Sequence, residues 1–182
     1  MKTLETKRLI LRLWQKTDVN DMFEYASDPR VGPNAGWPVH ENINMSKMIV
    51  NNFIKAGDVY AIVLKSENKV IGSLGLHERK PDKSADNLKQ KEIGYVLNPK
   101  FWGQSIVPEA VKRVIKHGFE ELNLDLIWCG YFSFNENSKR VVQKCGFNYR
   151  FTVNKTLPLL EDKKVENHYY SITKEEYLQQ LN

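Results

Sequence analysis

The run Asn98-Pro99-Lys100-Phe101-Trp102-Gly103-Gln104-Ser105-Ile106-Val107-Pro108-Glu109-Ala110 joins a β-rich segment to an amphipathic helix through a loop suited to holding an anion. Val107, Ala110, Val111, Val114, Ile115, Phe119 and Leu122 recur at spacings of three and four, so one apolar stripe faces a core while the other face carries charge. Pro108 fits only in the first turn, where its missing N–H removes a donor that lacks an intrahelical partner anyway. The helix therefore starts near Gln104 or Ser105. Its free N–H groups and the positive end of its dipole face whatever lies beside Gly103, each such charge interaction contributing about 0.3–1 kcal/mol. Phosphate or pyrophosphate suits that chemistry; the alternative is an ordinary loop in which Gly103 merely turns the chain.

Two groups on the preceding β-rich runs could move a proton. Glu92 opens the run Glu92 to Leu97, and alternation places Glu92, Gly94 and Val96 on one face. His77 ends the run before it, and an imidazole's unperturbed pKa of about 6.5 lets it cycle near neutrality. A salt-bridged strand glutamate and a structural histidine are the plainer alternatives. Downstream, Asn135 stands where a helix N-cap belongs, with Ser138 one turn later, a pattern that capping alone would explain.

Three blocks read in order carry a resemblance: Glu92-Ile93-Gly94-Tyr95-Val96-Leu97 running into the Gly103 loop, then Asn135-Glu136-Asn137-Ser138, then Lys144-Cys145-Gly146-Phe147. Together they resemble the GNAT superfamily of acetyl-CoA-dependent N-acyltransferases, whose pyrophosphate loop reads Q/R-x-x-G-x-G/A and whose later block reads N-x-x-S followed by K-x-G-F. The later block matches fully. In the loop, Lys100 stands where Gln or Arg is usual and Ser105 replaces the second Gly or Ala. The Ser105 side chain would crowd a pyrophosphate, cap the helix, or bond a phosphate oxygen. Glu5-Thr6-Lys7-Arg8-Leu9-Ile10-Leu11-Arg12, Gly32 to His40 and Tyr169-Tyr170-Ser171-Ile172-Thr173 are similar to the Rim-type branch, which includes ribosomal-protein N-terminal acetyltransferases.

The resemblance implies a mixed, mostly antiparallel twisted sheet with helices on both faces, an α/β fold split between the fourth and fifth strands, where the cofactor arm enters. It implies acetyl-CoA as co-substrate, with Tyr95, Val96 and Leu97 pairing the pantetheine amides as an added strand would, Trp102, Gly103, Gln104, Ser105, Ile106 and Val107 around the pyrophosphate, and Asn135 against the arm. A backbone N–H of that strand would stabilise the oxyanion, a donor whose loss typically costs about 2.7–4 kcal/mol. Ser138 would protonate the departing thiolate. Glu92 is the first choice for base and His77 its competitor, contributing about 10²–10⁴-fold. Asn34, Trp37 and His40 would border the acceptor, with His77 beside them; Glu161 and Asp162, in the loop from Leu157 to Lys163, would add negative charge that attracts an amine. The acceptor is then a small-molecule amine or a protein N-terminus, acetylated by direct attack on the thioester with no metal. A non-catalytic acyl-CoA sensor on the same scaffold is the alternative, whereas neither the Walker lysine pattern nor a dinucleotide fingerprint supports ATP.

These residues need a scaffold. Strands are expected at Arg8 to Trp14, Val59 to Leu64, Val70 to His77, Glu92 to Leu97, Leu126 to Phe132, Asn148 to Lys155 and Val165 to Ile172. Helices are expected from about Asp18 to Ser27, Glu41 to Ala56 and Asn135 to Lys144, with Thr173-Lys174-Glu175-Glu176 capping a last one. Gly32 to His40 and Pro81 to Gln90 read as loops. At 182 residues and 41% hydrophobic the chain suits one domain, 1–182. It contains no apolar run of about 18 residues for a membrane span, and its charged opening lacks a signal peptide's apolar centre, so a cytoplasmic protein is expected. Cys129 and Cys145 make no metal-ligand or redox spacing and read as reduced core thiols. The net charge of +5 is scattered rather than interleaved with aromatics, which suits steering of a polyanionic cofactor better than direct nucleic-acid binding. Homodimers are common in the Rim-type branch.

Overall fold

β-Branched and aromatic residues supply the middle of one eight-stranded sheet. In the computed structural model, which describes residues 1–181, β3 (Val59–Leu64) is buried at every position and β4 (Lys69–His77) at all but its ends, as strands covered on both faces must be. They are flanked by β1 (Leu4–Glu5), β2 (Leu9–Leu13), β5 (Gln90–Leu97), β6 (Leu126–Phe132), β7 (Asn148–Leu157) and β8 (Lys163–Thr173). The order across the sheet is β1-β2-β3-β4-β5-β6-β8-β7. Every neighbouring pair is antiparallel except β5 and β6. The two-residue β1 is an extra edge strand, too short to show a period in the sequence, so the split expected between the fourth and fifth strands lies between β5 and β6.

Alternation along the strands divides the core in two. Tyr60, Ile62, Leu74, Leu76, Ile93 and Leu97 meet the apolar stripe of α4 (Ile106–Glu120), where Ala110, Val111 and Val114 are fully buried. Burying each larger apolar side chain contributes about 1.5–3 kcal/mol, which makes this stripe a main anchor of the sheet. α5 (Glu136–Lys144) and α6 (Lys174–Gln180) lie on the same side, Phe119 of α4 stacking on Tyr177 of α6 at 4.9 Å. Val59, Ala61, Val63 and Val70 face the opposite way, toward α1 (Val19–Ala26) and α3 (Ile43–Ala56).

Ends of elements follow their caps. Asn42 accepts from the N–H groups of Asn44 and Met45, so α3 starts at Ile43 rather than Glu41. Thr173 and Glu176 form the reciprocal capping box expected for α6. Asp18 is drawn into a 3₁₀ turn, Lys16–Asp18, by two bonds from the Arg12 guanidinium at 2.7 and 2.9 Å, and α1 begins after it. Gly32 to His40 is not wholly loop: Gly32–Ala35 makes one helical turn, α2, with Pro33 in its first turn and Gly36 at φ 90° ending it. No helix among the described residues is long and apolar enough to cross a membrane.

Candidate active site at the split between β5 and β6

The parallel ladder between β5 and β6 runs from Gln90↔Leu126 to Ile93↔Cys129 and stops. Beyond it β5 stays paired with β4 as far as Leu97↔Gly72, and β6 with β8 as far as Phe132↔Asn167. The two strands part, leaving one edge of Gly94–Leu97 open. The Asn98 N–H donates to the Ile71 carbonyl on the β4 side at 2.8 Å, so strand alternation turns the N–H and C=O of Tyr95 and Leu97 toward the open edge. Val96 turns its backbone toward β4: a Cβ added at Gly72 would lie 2.4 Å from the Val96 oxygen. Trp102 Nε1 donates to the Leu97 carbonyl at 2.9 Å, closing off that acceptor. Of the three residues expected to pair an incoming arm, Tyr95 offers both backbone groups and Leu97 its N–H.

The loop after β5 is built for close approach. Asn98 caps a 3₁₀ turn, Pro99–Phe101, through the Lys100 N–H. Gly103 has φ 76°, and the space where its Cβ would stand is open. Ser105, the N-cap of α4, is also left-handed at φ 56°, a conformation that costs an L side chain about 1–2 kcal/mol. Its hydroxyl does not cap the helix; Lys144 Nζ approaches it at 3.4 Å. Ile106 and Val107 send their side chains into the core, so what they present to the loop is the first turn of α4. A diphosphate lying there meets backbone donors, a helix N-terminus and the Lys144 ammonium, while an amide-bearing arm fits the open edge of β5; the residues present suit a coenzyme A thioester.

Long-range contacts hold this loop in place. The Arg8 guanidinium donates to the Gln104 carbonyl at 3.0 Å and to Glu109 Oε2 at 2.7 Å. Glu109, in the first turn of α4, also accepts from the Arg8 N–H and the Thr6 hydroxyl. Burial pushes the Glu109 carboxyl upward, but the bonds from Thr6 and Arg8 outweigh it and hold the group below the usual carboxylate range. Lys100 points away from the loop to Glu24 at 2.9 Å, where Lys69 and Asn98 also donate. Lys69 first, then Lys100, lowers Glu24 to about 2. Arg30 sits 5.7 Å over the Trp102 ring.

Side-chain chemistry gathers at the paired end of the split. His77 and Glu92 are direct cross-strand partners. The His77 ring folds back over the sheet: a Cβ at Gly75 would lie 2.1 Å from its Nε2, and one at Gly94, the first residue beyond the ladder, 3.9 Å from it. His77 Nδ1 is 2.8 Å from Asp58 Oδ2. Glu92, 13% exposed, has Arg79 at 3.8 Å.

Across the strand, Asn135 accepts the Ser138 N–H at 3.0 Å and caps α5, and its own amide donates to the Asn34 carbonyl at 3.0 Å. The Tyr95 hydroxyl donates to the Ser138 carbonyl at 3.3 Å; burial keeps that phenol protonated well past its usual range. Asn34 is thereby held beside the helix that carries Ser138, its side chain turned to the Arg30 carbonyl at 2.8 Å. Trp37 and His40 pack on each other at 5.2 Å. His40 is buried, bonded to Ser46 at 2.8 Å, and lowered by that burial. The structure therefore groups Glu92 with His77, and Asn34 with Asn135 and Ser138, while His40 turns into the fold. Glu161 and Asp162 sit at the β7–β8 hairpin tip with φ 52° and 54°. Both cysteines are buried, and burial lifts the Cys145 thiol to about 12, which disfavours the thiolate form there. Asp58, Arg8 and Lys144 acquire their places only here, since their partners lie 19, 101 and 39 residues away.

The family described as an acetyltransferase (GNAT) domain matches residues 8–148. YoaA of Bacillus subtilis (strain 168), described as an uncharacterized N-acetyltransferase, is 30% identical over 149 residues, which cover 79% of this chain and 81% of that protein. A GNAT-family acetyltransferase from Bacillus anthracis superimposes with a TM-score of 0.85 at 26% identity, over 96% of this chain and 100% of the other. A ribosomal-protein-S5-alanine acetyltransferase from Vibrio fischeri shares the fold, with a TM-score of 0.73 at 21% identity over 97% of this chain and 98% of the other.

Proposed function

This chain belongs to the GNAT acetyltransferase family, and from that premise we propose that it moves the acetyl group of acetyl-CoA directly onto a primary amine. The observation that carries this reading is the continuity of the site: the left-handed loop at Gly103 and Ser105 follows β5, whose open edge at Tyr95 and Leu97 leads back to Glu92 and its partner His77 on β4.

Acetyl-CoA supplies an activated thioester. The chain's own residues do the rest. Trp102 to Val107 and Lys144 hold the diphosphate, and Tyr95 and Leu97 pair the arm. Proton removal from an ammonium falls to the Glu92–His77 pair, and an amine arriving past Asn34 and Trp37 would meet it there. Ser138, one turn into α5, would return a proton to the thiolate. With the Rim-type features of the N-terminus, peptide N-termini join small amines as the acceptors to screen; a homodimer and a cytoplasmic setting accord with the same reading.

Titration calorimetry with acetyl-CoA, CoA and ATP, followed by a free-thiol assay over peptide N-termini and polyamines, tests it. Coenzyme binding without ATP binding, and thiol release with at least one amine class, is the expected result. Coenzyme binding with no thiol release across the panel would leave a non-catalytic acyl-CoA binder, and no coenzyme binding would overturn the reading altogether.

A further inference from the structure

Within the proposed acetyl transfer, and resting on it, we propose that Asp58 is a positioning residue that fixes His77 with Nε2 free to take the proton from the acceptor ammonium.

Asp58 is aimed by the end of α3. Gly57, at φ 66°, ends α3 with a left-handed turn, and Asp58 follows immediately before β3. Its carbonyl accepts the Leu76 N–H at 2.9 Å, so backbone as well as side chain ties Asp58 to the end of β4. The carboxylate then meets His77 Nδ1 at 2.8 Å. A carboxylate only accepts, so neutral His77 carries its hydrogen on Nδ1 and presents Nε2 as the lone-pair nitrogen.

Gly75 makes room for that nitrogen: with any side chain there a Cβ would stand 2.1 Å from Nε2, whereas a Cβ at its register partner Gly94, on β5 where the split begins, would lie in ordinary contact at 3.9 Å. Other charged groups around His77 are paired among themselves: Lys91 with Glu78 at 3.1 Å and Arg79 with Glu92 at 3.8 Å. That leaves the Asp58 carboxylate for the imidazole. Glu92 lies beside Arg79 and directly across from His77, on the side where the ammonium would arrive.

The step balances as follows. One N–H bond of the ammonium breaks and its proton passes to His77 Nε2; the freed nitrogen lone pair forms the C–N bond, the C–S bond breaks, and the thiolate takes the Ser138 hydroxyl proton to become the thiol. The second proton leaves the nitrogen as the amide forms and restores the Ser138 hydroxyl, and His77 releases the first to solvent, so one ammonium and one thioester give one amide, one thiol and one proton.

Long-range ¹H–¹⁵N spectroscopy on the intact protein, labelled at its four histidines, reads the tautomer without any acceptor. His77 is expected as the Nδ1–H form, and Asp58→Asn, whose amide can donate to Nδ1, is expected to shift it toward Nε2–H; an Nε2–H His77 in the parent protein overturns the proposal. In the thiol assay with acetyl-CoA and spermidine or a peptide with a free N-terminal serine, Asp58→Asn is expected to lower kcat about 10²-fold with KM for acetyl-CoA nearly unchanged, and Asp58→Glu to recover part of it. His77→Gln should lose as much, with no further loss in the double variant. An active parent enzyme with an equally active Asp58→Asn sinks the dyad alone, while a parent enzyme inert toward every amine sinks the transfer reading instead.

Discussion

The two halves of β5 have the same neighbour on one side and opposite fates on the other. At Glu92 and Ile93 the strand is paired on both edges, with β4 and with β6, and its contribution is side chains held in register, Glu92 against His77. From Gly94 to Leu97 only β4 is paired, and the contribution is backbone, the N–H and C=O of Tyr95 and the N–H of Leu97. A strand that parts from its neighbour midway thus supplies two kinds of recognition from eight residues. Fixed side chains sit where the sheet is closed, and strand-like hydrogen bonding is available where it opens.

Breaking the closed half should produce the largest effect. Gly75→Ala drives a Cβ into the His77 ring, so the ring must leave Asp58; turnover in the thiol assay is expected to fall by about 10² or more while acetyl-CoA affinity by calorimetry stays near that of the parent. Ser138→Ala follows, with turnover down by up to about 10² and acetyl-CoA binding retained. If binding or folding is lost instead, Ser138 serves only the cap of α5.

Perturbing the open half should act on binding instead. Gly103→Val forces a β-branched residue to φ near 76°, a cost of about 1–2 kcal/mol that corresponds to roughly 5- to 30-fold weaker acetyl-CoA binding if the loop must relax, with the kcat of the saturated enzyme little changed. Equal loss of kcat from Gly103→Val would erase the division of labour.

The smallest effect concerns the contact that joins α1 to the loop. Glu24 is held at about 2 against its ordinary 4.5, first by Lys69 and then by Lys100, so it contributes stability above pH 4.5 that is lost as pH falls toward 2. Melting temperatures across that window should fall less steeply in Glu24→Gln than in the parent protein.

What was legible in the sequence is what is local. The apolar stripe of α4 repeats within single turns, and the Thr173–Glu176 box lies within four residues, so each signals itself. The mixed sheet and the parting of its middle strands were readable from the order of runs and the motif resemblance. Asp58 falls between the expected helix ending at Ala56 and the strand starting at Val59, and only the pairing of β3 with β4 brings it to His77. Arg8 and Thr6 read as the start of a strand, and only the docking of α4 turns them into the brace of a loop a hundred residues later. Lys100 stands in the loop motif, yet its side chain answers to Glu24 on α1, an attraction no local spacing records. Ser105 looked like a substitution that had to crowd, cap or bond; its left-handed backbone and its approach by Lys144 follow from the turn into α4 and the packing of α5.

Hydrogen exchange at β5, resolved to single amides with and without saturating acetyl-CoA, tests the open edge most directly. The Tyr95 and Leu97 amides, facing the open edge, should become strongly protected when acetyl-CoA is added, while the Val96 amide, already turned to β4, should change little. Unchanged exchange at Tyr95 and Leu97 under saturating acetyl-CoA would show that the open half of β5 does not receive the coenzyme.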